Sequence, residues 1–177
     1  MITIGIDASS TCTGWSVFDN KNLIDYGAIK PKGSNYRERI FNEAPELIAV
    51  FNKYKPEMVY MEDVPHNPRG GISTAIILGA VQGFIYGVAM SCKTNITFVD
   101  PNTWRSDGGL FDGTQEGRRR EVLKKKAIDM ANKKFNLELK WYSPSSTKND
   151  DDIAEAILIC AVMNGIIEKK KKFGKNK

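Results

Sequence analysis

The sequence predicts a single α/β domain in which short strands lead into helices. Three observations carry this prediction. Apolar and small residues alternate in "ITIGID" at the start of the chain, an apolar pattern of helical period follows from about residue 34, and a second strand and helix pair begins at residue 57. The predicted order is β-β-β-α-β-α-β-α-α, without an internal repeat or linker. A chain of 177 residues is one domain by size and is long enough to bury about 70% of its unfolded surface.

The first three strands form the start of the predicted sheet. Ile2, Ile4 and Ile6 alternate with Thr3 and Gly5, so the sequence predicts a strand that ends at an aspartate, residue 7. A turn rich in Ser and Thr follows, and a second strand begins near residue 15. A third strand is predicted over 22–30. The first two strands therefore form a hairpin with a carboxylate near its mouth.

The remaining elements alternate between helix and strand. A helix is expected from about Ser34 to residue 55, with Pro45 kinking or dividing it. Strands are predicted over 57–63 and 95–100. After "PNTWRS" and a glycine-rich loop, a helix over 117–134 carries eight basic residues, and the last helix begins near Asp150.

Residues 70–91 lack strong charges and are predicted to form a buried helix, with Gly79 and Gly83 on one face. Glycine inside a helix costs about 1 kcal/mol relative to alanine. Two such residues therefore indicate that another backbone passes close by. Two interpretations remain open: packing against the sheet, and a subunit interface.

Composition excludes several classes of site. We expect no membrane span, since no apolar run approaches the length of about 20 residues that a span requires. We also expect no signal peptide. The expected location is therefore the cytoplasm. Three dispersed cysteines, residues 12, 92 and 160, indicate neither a disulfide framework nor a zinc site and are expected to be buried apolar fillers. With a single histidine, residue 66, imidazole zinc sites and Ser-His-Asp triads are nearly excluded.

The net charge of +5 is concentrated at the end of the chain. Residues 168–177, "EKKKKFGKNK", hold six Lys and one Glu, so residues 1–167 are neutral overall. We expect a domain over 1–167 and a basic, disordered tail over 168–177. Such a tail either touches nucleic acid without sequence preference or only improves solubility.

Acidic residues are the candidate chemical groups. Asp7 either caps its turn or is a metal or phosphate ligand, and Glu62 ends a second strand. On the last helix, at about 100° per residue, Asp152 lies at the edge of the apolar stripe and Asp151 lies away from it. Asn149 or Asp150 is expected to cap this helix, and acids at a helix start are often only complements to its dipole.

Carboxylates from two strands and one helix would repel one another and acquire raised pKa values unless cations lay among them. Mg²⁺ fits best, with Mn²⁺ as the other candidate. Two such ions about 4 Å apart activate a water and stabilise the leaving oxygen of a phosphoryl displacement. The acidic residues therefore predict a site for hard divalent cations that could serve an in-line phosphoryl displacement.

Three segments also resemble a known family. "GIDASSTCTGWSVF", "MEDVPHN" followed by "AIILGAVQG", and "DDIAEAILI" are similar, in order and spacing, to the three acidic motifs of RuvC-type Holliday-junction resolvases, members of the RNase H-like nuclease superfamily. The shortened "DPNTWRS" element resembles the phage-encoded branch. The resemblance covers about residues 2–165.

The resemblance implies an RNase H-like fold, a mixed five-stranded sheet flanked by helices, and a homodimer that incises branched DNA with divalent metal. Its metal-binding and catalytic residues would be Asp7, Glu62, Asp152 and Glu155. The family more usually has Asp or His at the last position, so Glu155 is a departure. Pro65 and His66 stand where cellular relatives have a stacking aromatic, which favours relaxed use of forks and flaps beside four-way junctions.

Binding of duplex arms requires Lys and Arg near the acidic centre. We predict DNA contacts in the basic helix and beside Trp104, which either stacks on a base or belongs to the core. These candidates are Arg118, Arg119, Arg120, Lys124, Lys125 and Arg105.

Two alternatives come from other functional classes. An ATP-binding module of the actin and sugar-kinase type has a similar phosphate hairpin, but it requires a second lobe that 177 residues do not supply. A junction-binding protein without activity would retain the fold, although an idle cluster of carboxylates costs stability.

Overall fold

The structure is a computed structural model that describes residues 1–64 and 71–168. Five strands form one mixed sheet: β1 (Ile2–Ala8), β2 (Thr13–Asp19), β3 (Asn22–Ile29), β4 (Met58–Glu62) and β5 (Asn95–Val99). The strand order is β3-β2-β1-β4-β5. The first three strands are antiparallel, while β4 runs parallel to both β1 and β5. Pro65, His66 and residues 169–177 of the predicted tail lie outside the described residues.

Five helices cover the sheet: α1 (Tyr36–Tyr54), α2 (Gly71–Ser91), α3 (Pro101–Asp107), α4 (Arg120–Phe135) and α5 (Asp151–Met163). One core lies between the sheet and α1 with α2, and it includes Ile4, Ile6 and Leu47. The other lies between the sheet and α3, α4 and α5, and it includes Trp104 and Ile157. The predicted strands and long helices are thus present, within a few residues at their ends.

Alternation along β1 decides which side chains reach α5. Ile4 and Ile6 point to the α1 side, whereas Thr3 contacts Cys160 of α5 and Gly5 lies against the backbone of Ala156. Asp7 shares the parity of Thr3 and Gly5, so it points toward α5. In β4, likewise, Tyr60 belongs to the α5 core. Glu62 is two residues further along the strand, so its side chain lies on the same face of the sheet.

Three features of the helices differ from the prediction. Pro45 does not divide α1, which continues past it to Tyr54. It is exposed, and the residue four positions earlier, Phe41, is exposed as well, so water can replace the hydrogen bond that proline removes. "PNTWRS" forms the short helix α3 with Asp100 as its N-cap. At the start of α5, Asp150 occupies the predicted N-cap position, but its side chain makes no capping hydrogen bond. The side-chain oxygens of Asn149 and Asp150 instead accept from the backbone N–H groups of residues 142 and 140.

Helix α2 differs most from its prediction. Only Val81, Ile85, Val88 and Ala89 are buried. The expectation that no apolar run approaches a membrane span was also wrong, because among the described residues α2 is long and apolar enough to cross a bilayer by length and composition. That is weak evidence by itself, since core helices of many proteins meet the same criterion.

The cysteine prediction held for one residue of three. Cys160 is buried between α5 and β1, where its thiol is within hydrogen-bonding distance of the Thr3 hydroxyl. Cys12 and Cys92 are half-buried. Trp104 is fully buried, so it belongs to the core rather than to an exposed stacking surface.

Candidate metal-binding site

Helix α5 carries its acids to β1 because glycines let it approach the sheet. A Cβ on Gly5 would lie 2.1 Å from the carbonyl oxygen of Ala156, and one on Gly14 would lie 2.0 Å from that of Asp152. The Ser16 hydroxyl donates to the Ala156 carbonyl at 2.9 Å. The first two turns of α5 are thereby fixed against the ends of β1 and β2.

Three carboxylates meet at this contact. One ligand oxygen each from Asp7, Asp152 and Glu155 lie within 4.8 Å of one another. Glu155 is buried, while Asp7 and Asp152 are half-buried. Burial, followed by the charges of Glu155, Glu62 and Asp152, raises the pKa of Asp7 well above its usual value. The positive charge of Lys124 opposes this shift in the pKa of Asp7 but does not outweigh it.

Glu62 is adjacent but has different partners. Its carboxylate accepts a hydrogen bond from Trp104 Nε1 at 2.7 Å and forms an ion pair with Arg105 Nη2 at 2.9 Å. Burial raises the pKa of Glu62 to about 7, although Arg105 opposes the shift. The same Arg105 nitrogen pairs with Glu155 Oε1 at 3.1 Å. Of the four predicted acids, the structure gathers three within metal-binding range and holds the fourth beside them.

Lys124 neutralises the other edge of the cluster. It forms ion pairs with Asp151 and with Asp152 Oδ1, the latter at 3.2 Å. Burial lowers the pKa of Lys124, but the carboxylates of Asp152 and Glu155 outweigh it, and the net shift is upward. Asp151 is buried here, contrary to the expectation that it faces away, because α4 packs on that side of α5.

The six predicted DNA-binding residues divide into two sets. Arg105 and Lys124 lie inside the acidic site, and only 19% and 17% of their side chains are exposed. The others are exposed on the segment that enters α4: Arg118, Arg119, Arg120 and Lys125. Arg118 stacks over Phe111, and Arg119 pairs with Glu116.

A cleft opens beside the cluster toward α2. It is lined by Asp7 and Glu62 from the strand ends and by Leu78 and Gln82 from α2. The Gln82 amide donates to the Glu62 carbonyl at 2.8 Å. The position of Glu62 is therefore tied both to α3 and to α2.

The carboxylate set fits a hard divalent cation. Mg²⁺, Mn²⁺ and Ca²⁺ prefer oxygen ligands, and the Asp7, Asp152 and Glu155 oxygens already lie close enough to share one ion. A cation there would also offset the mutual repulsion that raises the pKa of Asp7.

The chain is similar to known proteins both in sequence and in structure. The chain is 34% identical over 101 residues to a crossover junction endodeoxyribonuclease RuvC of Nitratidesulfovibrio vulgaris. The aligned region covers 55% of this chain and 58% of that protein. It is 29% identical over 135 residues to the RuvC of Chloroherpeton thalassium, over 73% and 72% of the two chains. The chain thus spans a little over half of the first of these relatives. No family model matches.

The structure is similar to that of Thermus thermophilus RuvC in complex with a Holliday junction substrate. The TM-score is 0.68 at 16% identity, over 96% of this chain and 99% of that one. This similarity confirms the RNase H-like fold with its mixed five-stranded sheet. Both sequence relatives carry the name RuvC.

Proposed function

We propose that this chain is a divalent-metal-dependent endonuclease of the RuvC type that resolves four-way DNA junctions by paired phosphodiester hydrolysis. The observation that carries the proposal is the convergence of Asp7, Asp152 and Glu155 on one point, beside Glu62 and on a RuvC-like fold. The proposed catalytic and metal-binding residues are these four acids.

The proposed metal is Mg²⁺, with Mn²⁺ as a substitute and two ions per site at full occupancy. When bound, these ions activate a water and stabilise the leaving oxygen. Asp7, Asp152 and Glu155 would hold the first ion. Glu62 would join them for the second.

The chain itself supplies the rigidity of the site. Because Gly5 and Gly14 seat α5 on the sheet, the separation of Asp7 from Asp152 and Glu155 does not depend on flexible loops. Trp104 orients Glu62 by its indole N–H. The burial of Trp104 and Glu155 keeps much of the bulk water away from the carboxylates, which strengthens their attraction for cations.

DNA contacts are proposed for the exposed basic segment. Arg118, Arg119, Arg120 and Lys125 would bind phosphates of a duplex arm. Lys124 and Arg105 lie nearer the acids and would face the phosphates at the cleavage point. The tail over 168–177 would add contacts that do not depend on sequence.

A homodimer is proposed through the open face of α2. Six of its residues follow alternating steps of four and three positions, the spacing of a helix-pairing stripe: Ile72, Ile76, Gly79, Gly83, Tyr86 and Met90. Ile72 and Ile76 are 81% and 58% exposed, and a Cβ on either glycine would meet nothing within 4 Å. Tyr86 continues the apolar surface onto Phe98 of β5.

A second copy is the proposed occupant of this stripe because it is apolar along its length and because the glycines permit close approach of an identical helix. The other side of α2 is fixed on the sheet by Val81 and Ile85. Gln82 links the same helix to Glu62. Two-fold pairing at α2 would therefore set the distance between two active sites and make opposed, symmetric nicks.

Three further parts of the proposal rest on the sequence. The shortened element around Trp104 favours the phage-encoded branch and hence a bacterial host cytoplasm as the site of action. Pro65 and His66 favour cleavage of forks and flaps in addition to four-way junctions. Equal cleavage rates on matched four-way and three-way substrates would support that breadth, and strict four-way preference would remove it.

The proposed activity is tested with a synthetic four-way junction in Mg²⁺, Mn²⁺ or EDTA. We expect symmetric nicks with either metal and none in EDTA. Asp7→Asn should lower the cleavage rate more than about a hundredfold, the upper end of what loss of a supporting residue costs a metal site, while junction binding persists. Asp19→Asn, at the opposite end of the β1–β2 ladder, is the matched control and should cleave normally.

Two results would overturn the proposal. Tight junction binding by the wild-type protein without cleavage in any metal would identify a binding protein without activity. A nucleotide-dependent rise in melting temperature without DNA cleavage would favour the ATP-binding alternative.

A further inference from the structure

Arg105 lies in an unusual place for a residue expected to touch DNA. Its Nη2 atom is 2.9 Å from Glu62 Oε2, 3.3 Å from Glu62 Oε1 and 3.1 Å from Glu155 Oε1. One guanidinium nitrogen thus fills the gap between two of the four acids. It carries a permanent positive charge there, since arginine does not deprotonate in proteins.

Helix α3 holds the guanidinium in this gap. Asp100 caps α3 by accepting from the Thr103 backbone N–H at 2.8 Å. The next residue, Trp104, is fully buried and donates to Glu62, and the Arg105 guanidinium lies 4.9 Å from the centre of the Trp104 ring. Glu62 therefore accepts hydrogen bonds from two adjacent residues of one helix, without a metal.

The remaining part of Arg105 is not optimally bonded. Its Nε is buried without a hydrogen-bond partner among the described residues. A buried donor left without a partner is unfavourable. A phosphate that accepts hydrogen bonds from both Nε and a terminal nitrogen would therefore bind the guanidinium more favourably than its present partners do.

A divalent cation and this nitrogen cannot share the gap. Mg²⁺ requires oxygen ligands at about 2.0–2.1 Å. An ion between Glu62 and Glu155 would have to bind the same carboxylate oxygens that Nη2 now contacts by hydrogen bonds. Among the described residues, Arg105 hydrogen-bonds to neither Asp7 nor Asp152, and it reaches Glu155 only through Oε1. The Asp7, Asp152 and Glu155 carboxylates, whose oxygens lie within 4.8 Å of one another, can therefore share one ion while Arg105 stays in place.

We propose that Arg105 occupies the position of the second cation, so that the protein without DNA binds a single divalent ion and admits another only after Arg105 leaves Glu62. This proposal rests on the proposed function. A phosphate of the bound junction is the acceptor that would draw the guanidinium away. Arg105 is then a positioning residue that couples DNA binding to completion of the metal site, and the coupling must act equally in both directions.

The experiment counts ions on the protein without DNA, so it does not depend on cleavage. Mn²⁺ is titrated into wild-type protein, Arg105→Met, Arg105→Lys and Arg37→Met, and free Mn²⁺ is followed by electron paramagnetic resonance. Arg37 is exposed on α1, so its variant controls for the loss of one positive charge. We expect one ion per chain for wild type, Arg105→Lys and Arg37→Met, and two for Arg105→Met.

A second measurement applies if Arg105→Met fails to fold, which circular dichroism will show. Glu62→Gln should leave the affinity of the first Mn²⁺ nearly unchanged, because Glu62 is held by α3 and not by that ion. Glu155→Gln should weaken it at least about tenfold, the lower end of the effect of losing a supporting residue.

The outcomes separate this proposal from the function on which it rests. Two equal Mn²⁺ sites in wild-type protein without DNA, or strong weakening of the first site by Glu62→Gln, would overturn the role of Arg105 while leaving a metal-dependent nuclease intact. No Mn²⁺ binding by any of these proteins, with or without a four-way junction, would instead contradict the metal site itself.

Discussion

Helices α5 and α2 are both apolar, and they cover opposite faces of the same sheet with different results. In α5 every residue from Ala154 to Val162 is buried, because the helix lies between β1 with β2 on one side and α4 on the other. In α2, which is longer, only four residues are buried. Similar composition thus gives a closed core in one helix and an open face in the other. The neighbours of a helix, rather than its own residues, decide how much of it is covered.

The difference also separates two roles for glycine. Gly5 and Gly14 lie under α5, where a Cβ would collide with backbone, whereas Gly79 and Gly83 face empty space on α2. The first pair is needed for the fold of one chain. Among the described residues, no atom lies within 4 Å of a Cβ built on either glycine of the second pair, so the fold of one chain does not require them to be glycine.

Substitution of Gly14 by alanine should have the largest effect on stability. The new Cβ would lie 2.0 Å from the Asp152 carbonyl oxygen, so α5 must shift, and overpacking of this kind costs about 3 kcal/mol or more in severe cases. Urea unfolding measures the loss. Mn²⁺ affinity should fall with it, because Asp152 and Glu155 move away from Asp7.

Gly79→Ala is the matched substitution on the open face. In a monomeric background it should stabilise the chain by about 0.5–1 kcal/mol, the helix preference of alanine over glycine. Equal destabilisation by the two variants would contradict the distinction between the closed and the open helix.

Ile76→Glu tests the open face as a dimer interface. A carboxylate at the centre of an apolar contact would be buried without a partner, so we expect the dimer to dissociate at least about a hundredfold more readily, as measured by sedimentation equilibrium. Phe41→Glu is the control, since Phe41 is 79% exposed on α1 and lies outside the stripe. A wild-type monomer, or an Ile76→Glu dimer of unchanged affinity, would rule out this interface.

Glu43 gives a smaller, pH-dependent test on the same side of the sheet. It is fully buried on α1, and this burial raises its pKa, although the nearby Thr13 hydroxyl opposes the shift. The folded state therefore binds this proton more tightly than the unfolded state does. The contribution of Glu43 to stability is complete below the unfolded pKa and is lost as the pH rises through the folded pKa.

The Glu43→Gln side chain cannot titrate. The free energy of unfolding of this variant should therefore exceed that of the wild type by about 1 kcal/mol at pH 8 and not at pH 4. Urea unfolding at both pH values measures the difference. Glu46→Gln, an exposed neighbour on the same helix, should show no such dependence. A Glu43→Gln effect that is identical at the two pH values would show that the carboxyl group stays charged, or stays neutral, throughout.

Much of the α5 face could be predicted from the sequence. The alternation in β1 and β4 fixes the faces of Asp7 and Glu62, and the helical period places Asp152 at the margin of the apolar stripe. The four acids were predicted for this reason and from the motif resemblance. That they act in catalysis stays a prediction.

Contacts between helices were not predictable in the same way. Asp151 lies away from the apolar stripe on a helical projection, yet α4 covers it, and Lys124 pairs with it. Helix α3 has seven residues, too few for a periodic pattern. The signal that could have revealed it is the Asp100–Pro101 pair, which is typical of a helix N-cap and first position; without α3, the inward position of Arg105 could not be foreseen.

The most direct test is a crystal structure of the protein with Mn²⁺, in which anomalous scattering locates the ion. We predict a peak bonded to carboxylate oxygens of Asp7, Asp152 and Glu155 together. A map without a peak at these three residues, from crystals in which Mn²⁺ binds elsewhere or not at all, would contradict the claim that β1 and α5 build a metal site.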